Sequence, residues 1–162
     1  MISPEYLASA YARNVQIVKQ QTDGLSHADS LVQLPFRANC MNWVVGHLVT
    51  NRNSVLKLLG AEPALEAERA ARYAYESEPI TGDGPGVLPL EELLAILECA
   101  QERLTSLLAT ITPDELNRQV VVFGDRPMMV GEWLLFFFFH DSYHTGQTEI
   151  LRQAVGKNDK II

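Results

Sequence analysis

The chain has 162 residues, a formal net charge of −7, 47% hydrophobic residues and 20% charged ones. That is the size and make-up of a soluble domain able to bury a sizeable core without help from a metal. The acidic balance argues against a nucleic-acid binder, which carries a basic patch, and against a basic helix lying on a membrane.

The first helix starts at Ser3-Pro4-Glu5, where Ser3 can cap and Pro4 suits the first turn. Tyr6, Leu7, Ala10, Tyr11, Val15 and Val18 give it an apolar stripe, and it ends near Gly24. His27 to Asn39, which contains Pro35, reads as loop. The second helix covers Cys40 to Leu59. Its inward positions are Trp43, Val44, His47, Leu48, Val55, Leu58 and Leu59, and Gly60 is its stop.

Ala61 to Pro89 reads as one long connection, with a helical piece around Pro63 to Ala71 and irregular chain from Pro79 to Gly86. Connections of this length inside a compact domain are usually functional or mobile. The third helix runs from Leu90 to Ala109 on a stripe of leucines. Thr112-Pro113-Asp114-Glu115 has the pattern of a short capped helix. Val120 to Phe123 and Arg126 to Val130 look like a small hairpin, which Pro127 limits to an edge. The fourth helix runs from Gly131 to Ala154 and ends at Gly156; Phe136 to Phe139 make part of it apolar all round. Four such helices predict an all-α four-helix bundle, a single domain over residues 1–156, with a solvated or loosely docked tail over 157–162.

Cys40 and Cys99 form no paired motif, which fits a reduced, cytoplasmic setting. The opening Met-Ile-Ser-Pro-Glu-Tyr has no basic or apolar leader, so no signal peptide is expected. The longest apolar run, Trp133 to Phe139, falls far short of the about 20 residues a bilayer needs.

The residues that carry chemistry are His47, His140 and His144. His140 and His144 are four apart in a helical segment, so they share one face with Cβ atoms about 5–6 Å apart. His47 faces inward from a second helix and completes a set of three. Three neutral imidazoles on a divalent ion leave a coordination position open, the mark of a catalytic or ligand-binding site. Imidazole suits zinc, nickel, copper and iron. Cys40 lies about 10 Å of helix rise from His47 and cannot share an ion with it. It reads as a small buried residue. His27 reads as a solvated loop histidine, and Asp141 points about 100° away from His140 around the helix. No G-x-S-x-G, phosphate-binding glycine loop or H-E-x-x-H is present.

Asn42-Trp43-Val44-Val45-Gly46-His47-Leu48 resembles the second-helix motif of the DinB-like (YfiT-like) superfamily. His140-Asp141-Ser142-Tyr143-His144-Thr145-Gly146-Gln147, followed by Leu151-Arg152, resembles its final-helix motif. Glu78-Pro79-Ile80 and Leu90-Glu91-Glu92-Leu93 are similar in order and spacing. The resemblance covers nearly the whole chain. It implies an up-down-down-up bundle with a divalent metal, typically nickel or zinc, on three histidines that match His47, His140 and His144. It also implies relatives that are transferases or isomerases using bacillithiol, mycothiol or glutathione, beside many of no known activity.

The resulting expectation is a metal-dependent enzyme, a thiol-dependent S-transferase or hydrolase acting on a small molecule with a low-molecular-weight thiol as cosubstrate. The alternative is a metal- or small-molecule-binding stress-response protein without turnover. Asn51, Arg52, Tyr73, Tyr75 and Gln147 are the expected substrate-binding side chains, with Arg152 a further candidate cation. No general base is identified. Four successive phenylalanines cannot all face one core, since neighbours on a helix are about 100° apart, so a homodimer built partly on the fourth helix is expected.

Overall fold

The computed structural model describes residues 3–161, and the fold is all-α apart from one small hairpin. Four long helices build it: α1 (Pro4–Thr22), α3 (Met41–Leu58), α5 (Leu90–Leu108) and α7 (Val130–Ala154). Three short ones join them: α2 (His27–Ser30), α4 (Ala67–Ala70) and α6 (Pro113–Asn117). The hairpin pairs β1 (Gln119–Val120) with β2 (Met128–Met129), antiparallel. α1 packs against α5 and α7, and α3 packs against the same two. Among the described residues no helix is long and apolar enough to cross a membrane.

The ends of these elements follow local chemistry. The Ser3 hydroxyl accepts from the Tyr6 amide at 3.3 Å, which starts α1. Gly60 takes φ +76° just past α3, a conformation that a side chain resists. The capping box of Thr112 and Glu115 opens α6 as its sequence indicates.

The structure corrects the sequence reading at several points. The stretch read wholly as loop contains α2, because Ser26 and Asp29 form a second capping box. The helical piece in the long connection does not begin at Pro63. Asn53 captures that backbone instead: its Oδ1 accepts from the Ala64 and Leu65 amides at 2.7 and 3.2 Å, and its amide donates to the Leu65 carbonyl at 2.7 Å. Helix starts only at Ala67 and continues as a 3₁₀ turn over Ala71–Tyr73. The hairpin strands are two residues each, so Val121 to Phe123 lie outside the pairing. The tail residues 157–160 are exposed, and the Asp159 carboxylate accepts from Arg152 at 2.9 and 3.1 Å.

The core has two apolar layers. One gathers Val15, Val44, Val45, Leu93 and Leu97; the other gathers Tyr11, Leu56, Leu104, Leu134 and Phe137. Between them lies a buried polar layer. The Arg52 guanidinium donates to Asp141 at 2.7 Å and to Gln101. The Asn51 amide donates to the other oxygen of Asp141. The Arg52 guanidinium lies 4.5 Å from the centre of the Tyr11 ring, whose hydroxyl donates to the Leu134 carbonyl at 2.7 Å. One network thereby touches all four long helices.

Both charges are 1% exposed. Removing one partner leaves the other buried without compensation, a loss of about 3–5 kcal/mol. Asp141→Ala is expected to lower stability by that amount in urea denaturation. A loss below about 1 kcal/mol, the range of solvent-exposed pairs, would contradict the buried-pair reading.

Candidate metal centre

α3 and α7 bring His47, His140 and His144 together. One ring nitrogen from each lies within 4.8 Å of the other two. The Nε2 atoms of His47 and His140 are 3.3 Å apart. Two nitrogens each about 2.0–2.1 Å from a tetrahedral metal lie about 3.3–3.4 Å apart, so this pair already has the spacing of ligands on one ion.

The remaining ring nitrogens say which atoms are available. His47 Nδ1 lies 2.8 Å from the Tyr73 carbonyl, which can only accept, so Nδ1 carries the proton and Nε2 presents its lone pair. His144 Nδ1 lies 2.7 Å from Gln147 Oε1, which sets the same tautomer. His140 Nδ1 is buried without a protein partner. With the His47 and His144 protons held on Nδ1, the Nε2 lone pairs of these two rings are free for a divalent cation, the arrangement of oriented imidazole ligands.

Burial favours the neutral rings. It lowers the His47 pKa, against the pull of the Tyr73 carbonyl. Burial together with the neighbouring His47 brings His140 down to about 4. Burial also brings His144 down to about 4, with the Gln147 bond opposing and the other two histidines adding to the shift. All three rings are therefore neutral at pH 7, the form that binds metal.

The residues around His47 explain the local sequence. Trp43 stacks on the His47 ring at 4.6 Å between centroids and 11° between planes, and its indole donates to Ser77 at 2.9 Å. Gly46 leaves room for the Tyr73 ring: a methyl there would sit 2.0 Å from Tyr73 Cδ1. The Tyr73 hydroxyl accepts from the Leu88 amide at 2.7 Å and donates to Asn42 at 3.2 Å, while the Asn42 amide donates to the Leu88 carbonyl at 2.9 Å. Tyr73 is thus clamped so that its carbonyl meets His47.

The five expected substrate-binding side chains fall in different places. Asn51 and Tyr75 line a cavity of about 750 Å³ that opens beside His47 and His140. Arg52 and Tyr73 are fully buried and committed to partners within the protein, so they support the site from behind. Gln147 orients His144. Arg152 lies at the far end of α7, donating to the carbonyls of Gln21 and Asp23 and to Asp159. Cys40 is buried as expected, and His27 lies at the start of α2 rather than in a loop, its ring 3.5 Å from Asp83. Sequence reasoning missed Phe123, Phe136 and the alanines of the long connection, all of which line the cavity. The alanines sit at helical spacing, a signal present in the sequence but indistinguishable there from ordinary helix filling.

The family model of the DinB superfamily matches residues 10–148. A crystal structure of a conserved protein from Enterococcus faecalis has a similar fold, with a TM-score of 0.74 over 96% of this chain and 98% of that one, at 16% identity. No curated protein matches the sequence.

The histidine pKa values set a pH dependence. In an unfolded chain histidine titrates near about 6.5; folded, His140 and His144 titrate at about 4. Between those values the unfolded state binds more protons, so metal-free protein is expected to lose stability as pH falls from about 6.5 toward 4. Thermal melting of chelated protein across that range checks this, and replacing both residues by glutamine should flatten the slope. A slope unchanged in the double variant would contradict the assignment.

Proposed function

The chain belongs to the DinB superfamily, and on that footing we propose a divalent-metal-dependent enzyme that performs thiol-dependent S-transfer or hydrolysis on a small molecule. His47, His140 and His144 are the metal ligands in this reading. The observation that carries it is the convergence of three neutral imidazoles, of which His47 and His140 stand at ligand spacing and also line a cavity of about 750 Å³. A zinc or nickel ion there would supply Lewis acidity and lower the pKa of a thiol or water that meets it.

The chain's own residues prepare the site. Tyr73 and Gln147 hold the protons of His47 and His144 on the outer nitrogens, so no proton must leave before an ion is bound. Trp43 covers one face of the His47 ring. Substrate approaches from the cavity side, over Phe137 and His140. The up-down-down-up order belongs to the same reading. It is supported by cross-helix contacts that advance together along α1 and α7, Tyr11 to Leu134 and Asn14 to Ser142, and in opposite senses along α3 and α7, His47 to His140 and Asn51 to Phe137. Free thiols at Cys40 and Cys99 support a reducing, cytoplasmic setting.

One observation favours the second reading, a metal- or small-molecule-binding protein without turnover. Among the described residues that line the cavity there is no carboxylate to act as a general base. A homodimer is also proposed. Leu135, Phe139, Tyr143 and Ile150 are exposed on α7 at 41%, 70%, 60% and 55%, the first three at successive turns of one outward face.

Elemental analysis is expected to find one divalent ion per chain in the wild type and to find it lost in His144→Ala. Conjugation of a low-molecular-weight thiol to an electrophile should stop on chelation and return with added metal. Turnover that persists without metal would contradict the enzyme reading. Light scattering should give twice the chain mass at micromolar concentration, and Phe139→Glu should restore the monomer; a wild-type monomer would refute the dimer.

A further inference from the structure

The cavity beside the histidines has a chemistry of its own. Its volume, about 750 Å³, lies within the range of small-molecule sites, roughly 300–1,000 Å³. The floor is one face of α3, where His47, Thr50, Asn51, Ser54 and Lys57 follow at helical spacing. His47 and Lys57 are ten residues apart, or about 15 Å of helix rise.

The polar groups between them are already engaged. The Thr50 hydroxyl donates to the His47 carbonyl at 2.8 Å, and the Ser54 hydroxyl to the Thr50 carbonyl at 3.3 Å. The Asn51 amide serves Asp141 and the Phe137 carbonyl. To a ligand this floor is largely apolar. Phe123, Phe136 and Phe137 form a wall, and Phe123 meets Phe136 and Phe137 edge-on with ring centres 6.3 and 5.9 Å apart. The opposite side carries Ala67, Ala70, Ala71 and Ala74 at helical spacing, and their small side chains leave the space open. Lys57 is the one permanently charged side chain among the described lining residues, and it makes no ion pair among the described residues.

We propose that this cavity takes an elongated apolar molecule bearing a single anionic group, its body against Phe136 and Phe137 and its anion at Lys57. This deepens the metal-site reading and rests on it only for which end of the ligand reacts. The opposite end then reaches His47 and His140, about a ligand's length away. A strongly polar or multiply charged molecule would find one cation and few free hydrogen-bonding groups, and would lose its hydration without replacement.

The test uses two dyes with the same aromatic body, anilinonaphthalene sulfonate and its uncharged counterpart phenylnaphthylamine, titrated by fluorescence into chelated, full-length protein. Both are expected to bind one site per chain. Lys57→Gln should weaken the sulfonate about fivefold, the size of a partly exposed charge contact, and leave the neutral dye unchanged. Ala71→Leu, at an exposed position that tolerates substitution, should weaken both about tenfold by filling the cavity, as should Ala74→Leu. Folded leucine variants, verified by circular dichroism, that bind both dyes like the wild type would place the dyes elsewhere and overturn the proposal. A Lys57→Gln effect equal on both dyes would overturn the role of the cation. Zinc content, read separately by elemental analysis, reports on the metal reading alone, so either reading can fail without the other.

Discussion

The buried pair of Arg52 and Asp141 is the constraint on which the site depends. An ion moved from water into a protein interior pays a desolvation penalty of several kcal/mol, so it stays only where a partner meets it in good geometry. Arg52 stands five residues after His47 on α3, and Asp141 stands between His140 and His144 on α7. Satisfying the pair fixes how far each helix slides and how it is rotated. With both fixed, the three imidazoles have little choice but to meet. Gln101 from α5 and the Tyr11 ring from α1 complete the layer, so the register is set by all four long helices at once.

The second constraint comes from outside the helices. The connection between α3 and α5 folds back so that Tyr73 packs where Gly46 has no side chain, and its carbonyl fixes the His47 tautomer. The same segment contributes the alanine side of the cavity. The orientation of the His47 ring and one side of the cavity are therefore produced by one stretch of chain. That couples the three-histidine group to the cavity: a change that displaces Tyr73 disturbs both the imidazole and the space beside it.

Much of this was legible in the sequence, for definable reasons. Helical periodicity marked the four long helices, and the spacing of His140 and His144 placed two imidazoles on one face. Arg52 was misread as a cation facing substrate, because charge in a sequence suggests solvent and its partner lies 89 positions away. Tyr73 was misread in the same way: an aromatic residue in a Gly/Pro-rich connection suggests a pocket mouth, whereas its ring is held by Gly46 and its hydroxyl by Leu88 and Asn42. The start of α4 was misplaced because Asn53, distant in helical terms but adjacent in space, had already taken the backbone of Ala64 and Leu65. In each case a long-range contact outweighed the local pattern.

The central claim is that this framework holds His47, His140 and His144 as the protein ligands of one divalent ion. X-ray absorption spectroscopy of the zinc-loaded protein tests it most directly. The account predicts three imidazole nitrogens at about 2.0–2.1 Å, falling to two in His140→Ala. A sulfur scatterer at about 2.3 Å, or a spectrum without the multiple scattering of imidazole, would contradict it.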